Sequence, residues 1–272
     1  MLVNLNDHRG EMLIMADWSP RDYLVFEQER SRPAADLVRR INYSNPERIL
    51  DVGCGPGNST AILYERWKDA RITGMDSSPA MLEKAGQANG SINWVLGDAG
   101  GELSHLGNFD VIFSNAAFQW IPQNDVLIAK LFNMLNPNGV LAAQIPYVKE
   151  MPIHTIIHNL AENPKWSVYF RDMSSTYQLH APEFYYEVLS GFTPYVDLWE
   201  TRYFHIMNGP EDILQWYSST GLRPYLECLD DGKKTEFLHD ILTEITKSYP
   251  PRKDGKILFP FHRVFFIACK GE

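Results

Sequence analysis

The sequence predicts an α/β protein: a doubly wound, seven-stranded, mostly parallel sheet with a helical, aromatic-rich cap. Three observations carry this. Apolar runs of strand length alternate with helical stretches from Arg48 to Ile145. The first run feeds a glycine-rich turn that opens a helix, Arg48-Ile-Leu-Asp-Val-Gly-Cys-Gly-Pro-Gly-Asn-Ser-Thr60. After Pro146 the composition shifts, and fifteen of the sixty residues from Trp166 to Tyr225 are aromatic. Such material reads as cover for the carboxyl edge of the sheet.

Taken in order, residues 1–14 have mixed polarity and no period, and are expected to form a disordered extension. A single domain is expected over 15–272, its cap contributed by about 15–45 and 147–250. Ala34, Leu37, Val38 and Ile41 are spaced for one helix face. Ile49, Leu50 and Val52 around Asp51 read as a short buried strand, and a helix runs from Ser59 to Trp67. Arg71 to Asp76 is a second strand. Ser78 caps the next helix, with Pro79 at its first position. Ile92 to Asp98 and Phe109 to Asn115 are the third and fourth strands. A helix from Asn124 to Leu135 leads to a turn, Asn136-Pro-Asn-Gly139, and to a fifth strand, Val140 to Ile145. Beyond it, the stretch from Pro182 is helical and Val196 to Met207 alternates as a strand. A helix from Pro210 passes Trp216 and Tyr217, and Thr220 to Pro224 is a loop. Lys234 to Lys247 is an amphipathic helix, and Arg263 to Cys269 closes the sheet.

Bulk properties narrow the function. The net charge of −9 gives no global basic field, which argues against nucleic acid as a partner. Cys54, Cys228 and Cys269 are too few and too scattered for a metal site or a disulfide framework. No apolar run reaches the length of a membrane span, and the N-terminus has no signal-peptide core. The expectation is a cytoplasmic enzyme without metal and without a membrane partner; the oligomeric state is open.

The glycine turn sets the chemistry. Bare backbone between a strand and a helix N-terminus can press against a ligand. Dinucleotide turns use G-x-G-x-x-G, whereas Gly53, Gly55 and Gly57 make G-x-G-x-G, with Asp51 two residues before the first glycine. Asp76 ends the second strand, nineteen residues after Gly57. A carboxylate there can accept both hydroxyls of a ribose. Asp98 ends the third strand, so three acids gather at the edge where ligands bind open α/β sheets. Arg30 and Arg32, just before Pro33, suit a carboxylate, because a planar guanidinium can make two parallel bonds to it.

This set resembles motif I and its companions in class I S-adenosylmethionine-dependent methyltransferases. From Asp17 onward the chain is similar, more narrowly, to the trans-aconitate methyltransferase family of small-molecule carboxyl methyltransferases. The matching segments include Glu29-Arg-Ser-Arg-Pro-Ala34, Gly74-Met-Asp-Ser-Ser-Pro-Ala-Met81, Phe118-Gln-Trp120, Tyr185-Tyr186, Tyr203-x-His205 and Thr220-Gly-Leu-Arg-Pro224. Val148 to Met173 matches poorly, so the pocket wall is expected to differ.

The resemblance implies S-adenosylmethionine as cofactor, S-adenosylhomocysteine as product and a small tricarboxylate as substrate. It implies cofactor contacts from Asp51, Gly53, Cys54, Gly55, Gly57, Asn58, Asp76, Ser77, Met81, Asp98, Ala99, Asn115 and Arg30. It implies substrate contacts from Arg32, Tyr23, Gln119, Trp120, Tyr186, Tyr203, His205, Arg223 and Arg263, with Arg202 a further available cation. No catalytic acid or base is expected. A carboxylate with a pKa of about 4 is already ionised at neutral pH, so orientation, in-line alignment and exclusion of water suffice. Two alternatives stay open: methylation of another small carboxylic acid, and a non-catalytic module that only binds S-adenosylmethionine.

Overall fold

The computed structural model describes residues 26–171, 173 and 177–272. The expected disordered extension at 1–14 and the candidate Tyr23 lie outside these residues. Helix α1 (Glu27–Arg40) leads into strand β1 (Arg48–Val52), helix α2 (Asn58–Arg66), strand β2 (Arg71–Asp76) and helix α3 (Pro79–Ala88). Strands β3 (Asn93–Leu96) and β4 (Phe109–Asn115) follow, then helix α4 (Asn124–Asn133) and strand β5 (Leu135–Pro146). The cap helices are α5 (Pro152–Glu162), α6 (Pro182–Ser190), α7 (Pro210–Ser218), α8 (Arg223–Glu227) and α9 (Asp231–Ser248). They are interleaved with β6 (Val196–Met207) and followed by β7 (Ile257–Cys269).

The seven strands lie in the order β3-β2-β1-β4-β5-β7-β6. β1 to β5 pair in parallel, and β7 is antiparallel to both β5 and β6. Sheet order reverses between β1 and β4, the switch point at which open α/β sheets leave a crevice for ligands.

Side-chain alternation builds two layers. Leu50, Val52, Ile112 and Phe266 face α4 and α6 through Leu127, Leu131, Tyr185 and Leu189. Ile49, Val111, Phe113 and Phe265 face α1 and α2 through Leu37 and Leu63. A third cluster forms the cap, in which Ile153, Ile157, Trp216, Phe237 and Ile241 gather on Phe259 and Phe261. β7 joins the parts. From Arg263 to Cys269 it pairs with β5, and from Ile257 to His262 it runs beyond the sheet paired only with β6. One strand therefore supplies both sheet and cap.

Local chemistry explains most boundaries. Ser78 Oγ accepts the Met81 N–H at 3.2 Å, so the expected cap at Pro79 is present. The stretch 136–139 is an irregularity inside β5 rather than a turn before it. Asn138 has φ +62, and the register slips between Phe109 and Val111. The predicted loop at 220–224 passes into α8 at Arg223. α5, which the sequence reading left unassigned, is set by Pro152 at its start and by Ile153, Ile156 and Ile157 on its buried face.

Candidate active site

The turn after β1 is shaped by contact as well as by conformation. Gly53 has φ +70, and a Cβ there would stand 2.3 Å from Ala117 Cβ. The loops after β1 and β4 thus touch at a position only glycine can occupy. Gly55 has φ +55, and an added Cβ would meet nothing within 4 Å, so this side of the turn faces open space. The Gly53 and Cys54 N–H groups both donate to Met75 O, at 2.8 and 3.0 Å, tying the turn to β2.

A cavity of about 280 Å³ opens over this edge. Gly53, Gly55, Asp76, Ser77, Met81, Asp98, Ala99 and Asn115 line it, and so do Arg30, Gln119, Trp120 and Arg263. Its two ends differ in charge. Asp76 ends β2; β3 stops at Leu96, short of the expected end, so Asp98 stands in the loop two residues beyond it. Asp76 Oδ2 accepts the Gly55 N–H at 2.8 Å and Oδ1 the Ser78 N–H at 2.9 Å. Asp98 Oδ1 accepts the Gly100 N–H at 2.8 Å. Lys130 Nζ on α4 holds this loop through Ala99 O and Gly100 O, at 3.0 and 2.9 Å.

The other end is cationic. Arg30 is 7% exposed and donates from Nη2 to Ser219 Oγ at 3.1 Å, with its guanidinium 4.6 Å from the Trp216 ring centroid. Arg263 is 3% exposed and donates from Nη1 to Gln144 Oε1 at 2.9 Å. Gln144 lies opposite Asn115 in the β4–β5 register, so the arginine is fastened to the sheet beside the end of β4. Between the ends, Asn115 Oδ1 and Gln119 Oε1 are buried without hydrogen-bond partners among the described residues. Ala116 beside them has φ +57, a costly angle for a residue with a Cβ. Orphaned acceptors, an unobstructed glycine turn and a carboxylate at the end of β2 that lines the cavity fit the donor groups of an adenosyl amino acid.

Several candidates stand elsewhere. Asp51 is fully buried behind the turn and accepts from Ser59 Oγ and Thr60 Oγ1, at 2.8 and 2.6 Å. Burial pushes its carboxyl up to about 6, against the opposing hydroxyl bonds. Gly57 packs toward Trp94 rather than into the cavity. Cys54 and Asn58 line a small side crevice of the same turn, which Arg30 also borders. Arg32 is two residues from Arg30 on α1, about 200° around the helix, and it is exposed over the Tyr203 ring at 5.0 Å. Tyr203 donates its hydroxyl to Asp36 Oδ2 at 2.7 Å. Tyr186 is 54% exposed on the outer side of α6, while its neighbour Tyr185 is buried. Arg223 donates to Glu227 Oε1 at 2.8 Å, one turn along α8. Arg202 is exposed on β6 beside Phe204.

His205 is 4% exposed and stacks on Trp216 behind Arg30, with centroids 4.9 Å apart. Burial holds its pKa down at about 3, and Arg263, Arg32 and Arg30 push in the same direction. The unfolded chain therefore binds the extra proton between the ordinary value of 6.5 and about 3. Stability from this group is complete above pH 6.5 and falls as pH drops. Asp51 acts oppositely, because its raised pKa favours the folded state as pH falls from about 6 toward 3.8. Relative to the wild type, His205→Phe should therefore gain about 2 kcal/mol of folding stability on going from pH 7 to pH 5. Urea unfolding at the two pH values measures this; a constant difference between the proteins would contradict the assignment.

The cavity also has walls that the sequence reading did not single out. His154, Ile157 and His158 come from α5, and Trp216, Tyr217, Thr220 and Gly221 from α7 and the loop after it. For the two histidines, their spacing by one helical turn is the sign that the sequence carries. Among the described residues there is no metal-binding cluster, and no helix is long and apolar enough to cross a membrane.

Comparison with known proteins places the chain in a family. A methyltransferase-domain family profile matches residues 49–139, from β1 into β5. The YcgJ protein of Bacillus subtilis superposes with a TM-score of 0.57 at 15% identity, covering 89% of this chain and 99% of that one. A putative methyltransferase of Bacillus halodurans gives 0.56 at 14% identity, covering 89% and 100%. At such identities these two speak for the fold. The chain is 40% identical over 261 residues to trans-aconitate 2-methyltransferase of Methylobacterium radiotolerans, covering 95% of this chain and all of that one. The protein of that name from Azoarcus is 38% identical over 257 residues, covering 94% and 100%. Fold, crevice and matches together define an S-adenosylmethionine-dependent methyltransferase. Within that class, the chain belongs to the trans-aconitate 2-methyltransferase family.

Proposed function

We propose that this protein esterifies one carboxylate of trans-aconitate, leaving the monomethyl ester and S-adenosylhomocysteine, and that it works in the cytoplasm as one domain with its cap. The observation that carries this reading is the opposed charge of the cavity. Asp76 and Asp98 stand at one end and the buried Arg30 and Arg263 at the other, in a chain of net charge −9. The acidic end suits the hydroxyls and amino group of an adenosine. The basic end suits a polyanion, which an acidic protein would otherwise repel.

When bound, S-adenosylmethionine supplies a methyl group already activated by a sulfonium sulfur. The chain's own residues orient and enclose. Asp76 and the loop held by Lys130 fix the nucleoside end. Asn115 and Gln119 form the floor between the two ligands. Arg30, which borders the crevice of the glycine turn, holds the cofactor's carboxylate, and Arg263 holds a carboxylate of the substrate so that another reaches the methyl in line. No side chain need take a proton, because the attacking carboxylate is ionised at neutral pH. Trp120, set edge-on to Tyr177 at 4.8 Å, helps to close the cavity against water.

The test is an incubation with S-adenosylmethionine and a panel of trans-aconitate, cis-aconitate, citrate, isocitrate and fumarate, read by mass for ester and S-adenosylhomocysteine. Ester from trans-aconitate well above the others is the expected result. Preference for another acid would keep the chemistry and move the substrate. S-adenosylhomocysteine binding without any ester would overturn the reading.

A further inference from the structure

Tyr217 on α7 lines the cavity and is 4% exposed, and its Oη is buried with no hydrogen-bond partner among the described residues. Folded proteins rarely leave such a group unanswered, and those that remain call for a partner. The ring is held in place. Thr220 and Leu222 donate their N–H groups to Tyr217 O, at 3.0 and 2.9 Å. Gly221 packs so closely that an added Cβ would stand 3.0 Å from the ring's Cδ1. Phe259 meets the ring edge-on at 6.4 Å.

The groups that act on this phenol are Tyr177, Tyr249 and Arg263. The Tyr249 hydroxyl is engaged, accepting the Ile153 N–H at 3.0 Å. Tyr177 and Arg263 line the same cavity. Burial pushes the Tyr217 phenol well above its ordinary range, so it keeps its proton and can only donate to an anion.

We infer that Tyr217 is a specificity-determining donor, bonding a substrate carboxylate other than the one methylated, beside Arg263, so that the site selects acids with at least two carboxylates. This rests on the carboxyl-methyltransferase reading above. The nucleoside of the cofactor is not the partner. Its place is marked by Asp76 at the end of β2 and Asp98 in the loop after β3, while Arg263 lies on β7, with β1, β4 and β5 between.

The experiment compares Tyr217→Phe with the wild type. The substitution keeps the ring and its packing and removes only the hydroxyl. The expected result is a KM for trans-aconitate raised about tenfold or more, with kcat within about twofold. The preference for trans-aconitate over the monocarboxylate crotonate should shrink by a similar factor. Calorimetry should give an unchanged Kd for S-adenosylhomocysteine. The melting temperature of the ligand-free protein should hold or rise, because a buried orphan hydroxyl has gone. A lower melting temperature with equal losses for every acid would make Tyr217 a structural residue, and weaker S-adenosylhomocysteine binding would give it to the cofactor; either overturns the inference. If the wild type makes no ester from any acid, the carboxyl reading fails on its own. Tyr217 is then judged by trans-aconitate binding to the S-adenosylhomocysteine complex. Binding about tenfold weaker in the variant supports it, while equal binding, or none by the wild type, overturns it.

Discussion

Arg263→Met should lower kcat/KM for trans-aconitate by about two to three orders of magnitude, the cost of removing one member of a buried, hydrogen-bonded charge contact. Methionine can fill the space beside Phe261, whose ring lies 4.7 Å from the guanidinium, so packing is largely retained. The charge is lost, and Gln144 Oε1 loses the donor that the guanidinium provides at 2.9 Å. Gln144 Nε2 already has no partner among the described residues, so the amide would be left unsatisfied at both ends. Arg263→Lys should recover only part of the loss, because a point charge cannot reproduce the planar fork. Steady-state kinetics with trans-aconitate, alongside calorimetry with S-adenosylhomocysteine, would separate the roles. An equal fall in affinity for both ligands would remove Arg263 from substrate binding.

Asp76→Ala should weaken S-adenosylhomocysteine binding about a hundredfold. The carboxylate does two jobs. It accepts the Gly55 and Ser78 N–H groups, which fix the turn after β1 and the start of α3. It also lines the cavity, where a carboxylate can accept the hydroxyls of a ribose. Bonds to a charged acceptor contribute about 1.5–3 kcal/mol each, so losing two or more reaches this size. Asp98→Ala should cost about tenfold, because that residue is exposed and its one described bond is local, to Gly100. Titration calorimetry on both variants reads the difference. Comparable losses would mean that the nucleoside end is not organised by β2 as described.

The order of these effects shows what a sequence exposes. The strand-turn-helix around Gly53 and the acids Asp76 and Asp98 were legible because their geometry is local. An apolar run ends, glycines permit the turn, and the strand's last residue must lie at the sheet edge. Arg30 and Arg32 could not be told apart until the helix was seen to include them, since two residues separate opposite faces. Tyr203 and His205 share one face of β6, yet Tyr203 sits over the sheet and bonds Asp36, while His205 sits under the cap against Trp216. Alternation gives the face of a strand but not what covers it. Tyr186 is named by a motif yet stands 54% exposed, whereas Tyr217, which no motif marks, is buried because its ring packs on Phe259 of β7. α5 and its histidines lie in a stretch that carries no motif, and only tertiary packing brings them to the cavity.

The β6–β7 ladder has a mechanical consequence. Its twelve paired positions run without a break from Val196 opposite Ala268 to Met207 opposite Ile257. The ladder is a cantilever: its root is clamped by β5 and its free end carries the cap. Arg263 sits at the root, where Pro146 is the last β5 residue to brace it. A beam bends least at its clamp. Load taken up by the helices at the tip therefore leaves the guanidinium where it is, and a displacement of α5, α7 or the loop at Thr220 reshapes the cavity wall without moving its root.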